Sequence, residues 1–550
     1  MRDPYIQLNP KDNVLIALEN LEAGRIISFN GMEAALIQPV PAKHKFTIRE
    51  LKKGEAVIMY GVMVGKALKR IPHSGLITTE NVIHAVPEYS VGNQNISWVA
   101  PDVSRWKQKF FRGYHRPDGR VGTANYWLVL PLVFCENHNI ELLKSVLAEP
   151  LGYAIAKDFM VDIQPMIRAF QAGMGAEKIL EPDIIKTKQD LAKSRIFSNI
   201  DGIKFLTHEG GCGGTRYDSE VLCALLAGYI THPNVGGATI LSLGCQHAQI
   251  GLLHREIEKI APSLSKPLIE IEQQKYSSEK IFLNDAIKKT FLGLIEANKM
   301  ERKPAPLSKL ILGLECGGSD GFSGISANPT LGYVSDLLVA LGGITILSEF
   351  PELNGVEQEL VNRCVNRNLA QKFTRIMNQY SERATWMGSG FDNNPSPGNI
   401  RDGLITHTMK SAGAAKKGGS SPITDVLDYT EQSVKPGLNL LCTPGNDVES
   451  TTGLAGSGAN VIVFTTGLGT PTGNPICPVI KISSNTSLYE RMNDIIDFDT
   501  GSIIQGKESI KNLAESLLDY IVEVASGNVE PAAVRSGQDD FIPWKRGISL

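Results

Sequence analysis

The sequence has no surplus of positive charge and no long apolar run. Its 55 Lys and Arg residues face 58 Asp and Glu residues, so the formal net charge is −3. Nucleic-acid binding needs basic side chains that neutralise phosphates, and this balance disfavours it. The most apolar windows, such as residues 336–347, are about a dozen residues long and contain Gly, whereas a bilayer span needs about 20 residues. We therefore predict a soluble protein without a nucleic-acid or membrane partner.

Cysteine is also scarce, and an export signal is not evident. Eight cysteines in 550 residues are too few for a disulfide scaffold and fit a reducing cytoplasm. The first residues alternate polar and apolar side chains, without the continuous apolar segment of a signal peptide. With 42% hydrophobic and 21% charged residues, the composition is that of a globular chain, and the length suggests about three or four domains.

The N-terminal part reads as a small, mostly β domain. Short apolar runs at residues 13–18, 33–38, 57–60 and 75–77 alternate with turn signals, and no long helical period interrupts them. We predict a β domain over residues 1–95. Residues 96–108 belong to a stretch rich in Pro, Ser, Asn and Gln, and we interpret them as a linker.

From residue 126 onward, strand-length apolar runs alternate with amphipathic stretches, which predicts an α/β region with a mainly parallel sheet. Two β-loop-α-β patterns align: a strand precedes Cys212 and another precedes Cys245, while a strand precedes Cys316 and another precedes Glu349. Each pair is separated by 33 positions. We interpret the pattern as diverged repeated units, with coincidence as the alternative. A third, shorter unit covers residues 438–465. The predicted catalytic units are residues 109–265, 266–435 and 436–550.

Reactive side chains recur in the Gly-rich loops at the predicted strand ends. Ligands bind at the carboxyl ends of strands in open α/β sheets. Cys, His and carboxylate together are the ligand set of a ferrous or similar ion. Each residue also has a plain structural interpretation: a small buried Cys, a core His, or a Glu that caps a helix.

Two further loops carry hydroxyls, amides and lysines. One runs from residue 394 to residue 421 and includes Lys410 and Lys417, and the other covers residues 465–473. Lysine acts as a point charge for a carboxylate, so these loops suit a small polyhydroxylated anion. Established nucleotide-binding and hydrolase-elbow motifs are missing from the sequence, which disfavours hydride and acyl transfer.

Longer motifs carry a resemblance to a known family. They lie at residues 118–125, 211–213, 243–245, 315–329, 394–399, 436–438 and 469–471. On these motifs the sequence resembles the altronate/galactarate dehydratases, a family of sugar-acid hydro-lyases, over nearly its whole length. The N-terminal module resembles the SAF domain of that family, with His44 and Lys45 in the matching pattern. The expected fold class is α/β, with a small, mostly β SAF-like domain before a large α/β region.

The resemblance implies that D-altronate loses water to give 2-keto-3-deoxy-D-gluconate, with Fe²⁺ or Mn²⁺, in the breakdown of hexuronates. Gln246 and His247 stand where relatives have Glu and Asn, and Leu468 stands where Arg is common. Galactarate, another aldonate or another aldarate is therefore an alternative substrate. A sugar-acid-binding protein without turnover is the alternative function. By base rate we expect a homodimer.

From these patterns and the resemblance we assign candidate residues. The catalytic candidates are His44, Lys45, His208, Glu315, Asp320, Lys410 and Lys417. The substrate-binding candidates are Gly213, Gly317, Gly318, Ser319, Asn399, Ser420, Ser421 and Thr470. The metal candidates are Cys212, Cys245, Cys316, Glu349 and His208. As an alternative cofactor, Cys212, Cys245 and Cys316 hold three irons of a [4Fe–4S] cluster and leave the fourth iron free.

Overall fold

The computed structural model describes residues 3–92, 96–155, 159–187 and 194–549. Its N-terminal part contains short strands: β1 (Tyr5–Ile6), β2 (Val14–Ala17), β3 (Ile26–Phe29), β4 (Met32–Ala35), β5 (Lys45–Thr47), β6 (Ala56–Met59), β7 (Val62–Ala67) and β8 (Val82–Ile83). They form three small antiparallel sheets, in the orders β1-β2-β5, β3-β4 and β6-β7-β8. This confirms the predicted β module. Residues 75–77 form no strand, and Leu76 makes only an isolated bridge with Phe46.

The middle part of the chain is α/β. Its strands are β9 (Phe110–His115), β10 (Val121–Gly122), β11 (Tyr126–Pro131), β12 (Phe159–Val161), β13 (Ile185–Thr187), β14 (Gly202–Phe205), β15 (Val235–Ser242) and β16 (Leu268–Glu272). Its helices are α1 (Asn137–Leu147), α2 (Gln164–Gln171), α3 (Ala176–Leu180), α4 (Arg216–Thr231), α5 (Ile250–Ile260) and α6 (Glu279–Ala297). The main sheet has the order β14-β11-β15-β16, and all its pairs are parallel. Every residue of β15 is buried, as expected for a strand covered on both faces.

The C-terminal part is built around a larger parallel sheet. Its strands are β17 (Arg302–Pro306), β18 (Ile311–Cys316), β19 (Ile344–Leu347), β20 (Ile423–Leu427), β21 (Gly437–Leu441), β22 (Val461–Thr466), β23 (Val479–Ser483) and β24 (Phe498–Asp499). Its helices are α7 (Ala327–Ala340), α8 (Glu357–Arg363), α9 (Arg367–Trp386), α10 (Pro397–Arg401), α11 (His407–Ala414), α12 (Asp447–Gly456), α13 (Thr486–Arg491), α14 (Ile510–Ala525) and α15 (Ala532–Arg535).

Seven of these strands pair in the order β20-β21-β19-β18-β22-β23-β24, and all pairs are parallel. Strand β17 instead joins β9 and β10 in an antiparallel sheet, which ties the middle part to the C-terminal part. The same two parts meet where α4 packs against α12: a Cβ on Gly228 would lie 2.2 Å from the carbonyl oxygen of Gly456. The predicted α/β class with parallel sheets is confirmed.

The sheets divide the chain differently from the predicted units. The boundary at residue 265 separates β16 from the sheet in which it pairs, and the boundary at residue 435 falls between the paired strands β20 and β21. The reason is that a strand order cannot be read from local apolar runs. The two aligned β-loop-α-β units also pair differently, because β18 and β19 are neighbours whereas β11 lies between β14 and β15. Within the described ranges, the helices are too short or too polar to cross a membrane.

Candidate active site

Polar side chains converge at the carboxyl edge of the seven-stranded sheet. Glu315 and Cys316 end β18, Glu349 follows β19, and Asp447 begins α12 after β21. Parallel strands bring their carboxyl ends to one edge, where loops meet. Glu349 adopts a left-handed conformation with φ of 65°, which turns the chain sharply after β19. The next turn, Phe350–Leu353, carries Glu352.

Two ion pairs form the centre of this site. The Lys417 Nζ lies 2.5 Å from Glu349 Oε2, and both side chains are 1% exposed. The Lys410 Nζ lies 2.6 Å from Glu352 Oε1, with 11% and 3% exposure. Lys410 also donates to Asn394 Oδ1 at 3.1 Å. Buried charges are costly unless paired, so these lysines hold the carboxylates in the interior.

Cys316 lies between the two ion pairs. Its Sγ is 3.6 Å from Glu349 Oε2 and 3.5 Å from Glu352 Oε2. Among the described residues, ligand atoms of Cys316, Glu349 and Glu352 all lie within 4.8 Å of one another. Burial, followed by the charge of Glu349, raises the pKa of the Cys316 thiol well above its ordinary value. A cation that binds here would have to offset both effects, as divalent metals do for thiolates.

Glu315 is held beside this group, and its carboxyl group forms no ion pair with any residue that the structure describes. Its Oε2 accepts hydrogen bonds from Ser348 Oγ at 2.8 Å and Ser450 Oγ at 2.7 Å. Among the described residues, its Oε1 is buried without a hydrogen-bond partner, and so is Glu349 Oε1. Burial and the charge of Glu349 raise the pKa of Glu315. Burial and Glu349 likewise raise the pKa of Asp447 to about 7.

The donor set of this site fits a divalent metal ion. Four carboxyl groups and one thiol face two ammonium groups, so the ionised site has excess negative charge. In this site, two buried carboxylate oxygens, Glu315 Oε1 and Glu349 Oε1, have no hydrogen-bond partner in the described part of the chain. Carboxylates suit Mn²⁺, and a thiolate favours softer ions such as Fe²⁺. Cys316, Glu349 and Glu352 are the residues that would hold such an ion.

A second charged group lies where the N-terminal domain meets the C-terminal part. Lys43 Nζ is 3.0 Å from Asp320 Oδ2 and 2.6 Å from Asp402 Oδ1. The fully buried Lys45 donates from Nζ to the carbonyl oxygens of Lys43 at 2.8 Å and Gly403 at 2.7 Å. Burial lowers the pKa of Lys45 to about 7. The N-terminal domain therefore contributes charged side chains to the C-terminal part.

Two segments connect this charged group with the carboxylate centre. The loop after β18 runs from Glu315 to Asp320, whose Oδ1 accepts hydrogen bonds from Ser323 and Ser484. The other segment begins at Asn394, which donates to Glu352 Oε1 at 3.1 Å, and ends at Asp402. The first segment thus contains Glu315 at one end and Asp320 at the other. The second segment contacts Glu352 through Asn394 and ends at Asp402, and both of these Asp residues form ion pairs with Lys43.

Several predicted substrate-binding residues line these two segments. Asn399 Nδ2 donates to the Ser319 carbonyl oxygen at 2.7 Å. A Cβ on Gly317 would lie 2.1 Å from Asp447 Oδ2, and one on Gly318 would lie 3.0 Å from Thr470 Oγ1. Glycine is therefore required at position 317 for the close approach of Asp447. The structure brings these candidates to the same edge as Glu315.

Ser420 and Ser421 bind the carboxylate of Asp336 in α7. Ser420 N and Ser421 N donate to Asp336 Oδ1 at 2.9 Å and 2.8 Å, and Ser420 Oγ donates to Asp336 Oδ2 at 2.7 Å. Both amides and the Ser420 hydroxyl are thus used by this carboxylate, while the Ser421 hydroxyl is buried without a hydrogen-bond partner among the described residues. A sequence pattern cannot reveal this, since Asp336 lies 84 residues away from Ser420.

The remaining candidates lie elsewhere. His208 is buried, its Nε2 is 2.9 Å from the Pro131 carbonyl oxygen, and its Nδ1 accepts from Gly210 N at 3.1 Å. Both ring nitrogens are therefore occupied by backbone groups, which leaves none for a metal, and burial lowers the pKa of His208 to about 4. His44 is half-buried, with Nδ1 3.2 Å from the Ala42 carbonyl oxygen. Burial lowers the pKa of His44 as well.

The remaining candidates follow strands of the four-stranded sheet: Cys212 and Gly213 follow β14, and Cys245 follows β15. Cys316 ends a strand of the seven-stranded sheet, so these candidates and Cys316 do not lie on neighbouring strands. Sequence reasoning missed Lys43, Glu352 and Asp447 as site residues. Glu352 flanks Pro351 after a predicted strand, and it is buried in the structure. The one available signal was the position of Asp447 after a predicted strand.

Comparisons with known proteins agree with this architecture. Three family models match: the altronate/galactarate dehydratase SAF domain over residues 3–85, the D-galactarate dehydratase/altronate hydrolase second domain over residues 113–298, and the D-galactarate/altronate dehydratase C-terminal model over residues 307–549. An altronate dehydratase of Escherichia coli K12 is 31% identical over 99% of this chain and 100% of its own length. The chain belongs to the altronate/galactarate dehydratase family.

Other members of this dehydratase family are similarly related to the chain. An altronate dehydratase of Bacillus subtilis 168 is 30% identical over 99% of both chains. A galactarate dehydratase (L-threo-forming) of Escherichia coli K12 is 30% identical over 95% of this chain and 93% of its own. The resemblance stated from the motifs is therefore confirmed, and the chain is an enzyme of the hydro-lyase type. The two activities match at nearly equal identity, so identity does not separate the substrates.

Proposed function

We propose that this dehydratase converts D-altronate to 2-keto-3-deoxy-D-gluconate with Fe²⁺ or Mn²⁺ held by Cys316, Glu349 and Glu352. The observation that carries the proposal is the buried centre, where carboxyl and thiol groups outnumber the ammonium groups of Lys410 and Lys417. Two altronate dehydratases that match over nearly the full chain support the substrate. Galactarate is the second candidate, because a galactarate dehydratase is also 30% identical.

The reaction removes the proton next to a carboxylate that is already negative. A bound divalent ion supplies Lewis acidity for the second negative charge that develops. We assign proton abstraction to Glu315, because its Oε1 is buried and free of hydrogen bonds while Oε2 is fixed by Ser348 and Ser450. The raised pKa of Glu315 also makes it a stronger base than an ordinary carboxylate.

Lys410 is the proposed proton donor to the departing hydroxyl. Its side chain is more exposed than that of Lys417, and Glu352 and Asn394 fix its ammonium group. Lys417 neutralises Glu349 and keeps that carboxylate in place for the ion. A role in hexuronate breakdown and a cytoplasmic location belong to the same proposal and rest on the resemblance, and the proposed homodimer rests on base rate.

The test is turnover by the metal-loaded protein. Protein reconstituted with Fe²⁺ or Mn²⁺ is incubated with D-altronate, galactarate and other aldonates and aldarates, and 2-keto-3-deoxy acids are quantified. We expect turnover of D-altronate above the others. Preferential turnover of galactarate would replace the substrate, and no turnover of any sugar acid would refute the proposal.

Two variants separate the proposed roles. Glu315→Gln is expected to lower the rate about 10²–10⁴-fold while bound metal is unchanged, because it removes only proton transfer. Glu349→Gln is expected to lower the metal content itself. The matched control is Glu359→Gln, a partly exposed residue that lies 3.7 Å from Arg363 and should alter neither quantity. Full activity of Glu315→Gln would exclude Glu315 as the base.

A further inference from the structure

The eight cysteines divide into a buried set and an exposed set. Five are buried, and the three exposed ones are Cys135, Cys212 and Cys245. Each exposed cysteine follows a different strand of the four-stranded sheet: β11, β14 and β15 respectively. These strands are direct neighbours, in the order β14-β11-β15, and they are parallel. The exposed cysteines therefore share one edge of this sheet.

Backbone hydrogen bonds bring the three cysteine-bearing loops into contact. Phe134 N, next to Cys135, donates to the Gly210 carbonyl oxygen at 3.1 Å. Ala248 N, in the loop of Cys245, donates to the Gly211 carbonyl oxygen at 3.0 Å. A Cβ on Gly211 would lie 2.1 Å from the Leu132 carbonyl oxygen, and Gly211 has φ of 98°. Glycine beside Cys212 thus allows the two loops to pack backbone to backbone.

The surroundings of the thiols suit a bound inorganic group. Gln274 Nε2 is 3.3 Å from Cys245 Sγ and can donate to a thiolate there. A Cβ on Gly213, next to Cys212, would meet no heavy atom within 4 Å. Cys212 also lines a cavity of about 660 Å³ between the middle and C-terminal parts, together with Asn137 and Asp218. Cys212 therefore lies between an open position at Gly213 and the cavity that it lines.

The spacing of the thiols distinguishes a cluster from a single ion. Three thiolates on one tetrahedral ion lie about 3.8 Å apart, given metal–sulfur bonds of about 2.3 Å. Within the described ranges, one set of His, Cys, Asp or Glu residues brings three ligand atoms within 4.8 Å of one another. This set is Cys316, Glu349 and Glu352. Cys135, Cys212 and Cys245 form no such set. The three thiols therefore do not meet the spacing of a single tetrahedral ion, whereas in a cluster each thiolate binds a different iron.

We propose that Cys135, Cys212 and Cys245 ligate a [4Fe–4S] cluster through three of its irons. Each thiol loses a proton to solvent and forms one iron–sulfur bond, and the oxidation states of the cluster do not change. The fourth iron would have no cysteine ligand from this trio, and Cys212 is the member of the trio that lines the cavity. This site is separate from the centre at Cys316, and it replaces Cys316 by Cys135 in the three-cysteine set predicted from the sequence.

The test is anaerobic reconstitution of the full chain with ferrous and ferric iron in equal amounts, sulfide and a thiol reductant. The readouts are iron, acid-labile sulfide, visible charge-transfer absorption and the electron paramagnetic resonance spectrum after reduction. We expect about four sulfides per chain, together with the four irons of the cluster and one further iron at the proposed centre of Cys316, Glu349 and Glu352. Iron without sulfide, zinc in place of iron, or no bound metal would each overturn the proposal.

Variants identify the ligands independently of turnover. Cys135→Ser, Cys212→Ser and Cys245→Ser should each lose most of the sulfide and the absorption band. Without metal, each variant should unfold at nearly the temperature of the metal-free original protein, because the side chains are exposed. Cys316→Ser is the matched control and should keep the cluster. Loss of the cluster in Cys316→Ser together with its retention in Cys135→Ser would refute the assignment. Because these readouts do not involve a sugar acid, failure of the proposed function leaves them interpretable.

Discussion

Replacing Lys417 by Met tests whether the buried carboxylate centre depends on its internal cation. Lys417 and Glu349 are 1% exposed and 2.5 Å apart, so the substitution leaves a carboxylate in the interior with Cys316 and Glu352 as neighbours. Removing one partner of a buried ion pair destabilises a protein by about 3–5 kcal/mol. The neighbouring carboxylate of Glu352 adds repulsion, so we expect the upper part of this range.

The measurement is denaturant unfolding of the metal-free protein, followed by fluorescence and circular dichroism. The matched control is Lys416→Met at the adjacent position, where Nζ lies 3.9 Å from Glu359 and the side chain is 35% exposed. Exposed pairs contribute at most about 1 kcal/mol, so the control should unfold nearly like the original protein. The double variant Lys417→Met with Glu349→Gln should recover part of the loss, because the uncompensated charge is gone.

Three results would contradict this reasoning. Equal stability of the Lys417→Met and Lys416→Met variants would mean that Glu349 is protonated or solvated in the folded protein. A double variant no more stable than Lys417→Met would show that lost packing, not charge, explains the effect. A changed slope against denaturant would indicate that a different unit unfolds, since the slope reports the surface exposed.

Three further predictions address other parts of the structure. The pKa of Lys45 falls from 10.5 to about 7 on folding, so the unfolded chain binds more protons than the folded protein between pH 7 and 10.5. Relative to the Lys45→Met variant, the original protein should therefore gain about 1.4 kcal/mol of stability per pH unit from pH 7 to 9. Parallel plots of unfolding free energy against pH for the two proteins would exclude the shift. Asp336→Ala should lower stability by about 3 kcal/mol without changing KM, because it leaves the amides of Ser420 and Ser421 unpaired; a raised KM with unchanged stability would return these serines to the substrate site. Chelation of the metal-loaded protein should lower its thermal midpoint but leave Glu349→Gln unchanged, since metal at 100 times its dissociation constant contributes about 2.7 kcal/mol.

Local sequence patterns were sufficient for the strands that carry the centre. The runs at residues 310–314, 344–347, 438–442 and 461–465 correspond to β18, β19, β21 and β22, because a strand covered on both faces is continuously apolar. Glu315, Cys316 and Glu349 follow directly from these strand ends. Their position at one edge is a consequence of parallel pairing, which the alternation of strands and helices predicted.

Long-range pairing was not available from the sequence. Lys410 and Lys417 were predicted as catalytic candidates in a loop that suits a small anion, but each forms an ion pair with a carboxylate more than 50 residues away. Neither the partner nor the burial of such a lysine is encoded in its neighbours, because both depend on how α11 and the turn after it pack against the segment after β19. The same limit explains Ser420, whose hydroxyl binds Asp336 rather than a ligand.

The topology supplies a correspondence between the sheets that the aligned motifs did not. In the four-stranded sheet, β11 lies between β14 and β15, and β16 lies beyond β15. In the seven-stranded sheet, β18 lies in the same way between β19 and β22, and β23 lies beyond β22. Strands β20 and β21 extend the second sheet beyond β19. By position in the sheet, Cys245 corresponds to the loop after β22, not to Glu349.

This correspondence changes how the two proposed centres are related. Cys316 and Glu349 follow the first and second strands of one sheet, and Cys135 and Cys212 follow the first and second strands of the other. The carboxyl ends of these central strands are where an open parallel sheet binds ligands. The buried carboxylate centre and the exposed cysteine trio therefore lie at corresponding strand ends of the two sheets. The first centre contains carboxylate oxygens and one thiol, whereas thiols alone are the proposed ligands in the second. Helix α12 packs against α4 and connects the two units, and its residues Asp447 and Glu449 face the carboxylate centre and the 660 Å³ cavity respectively.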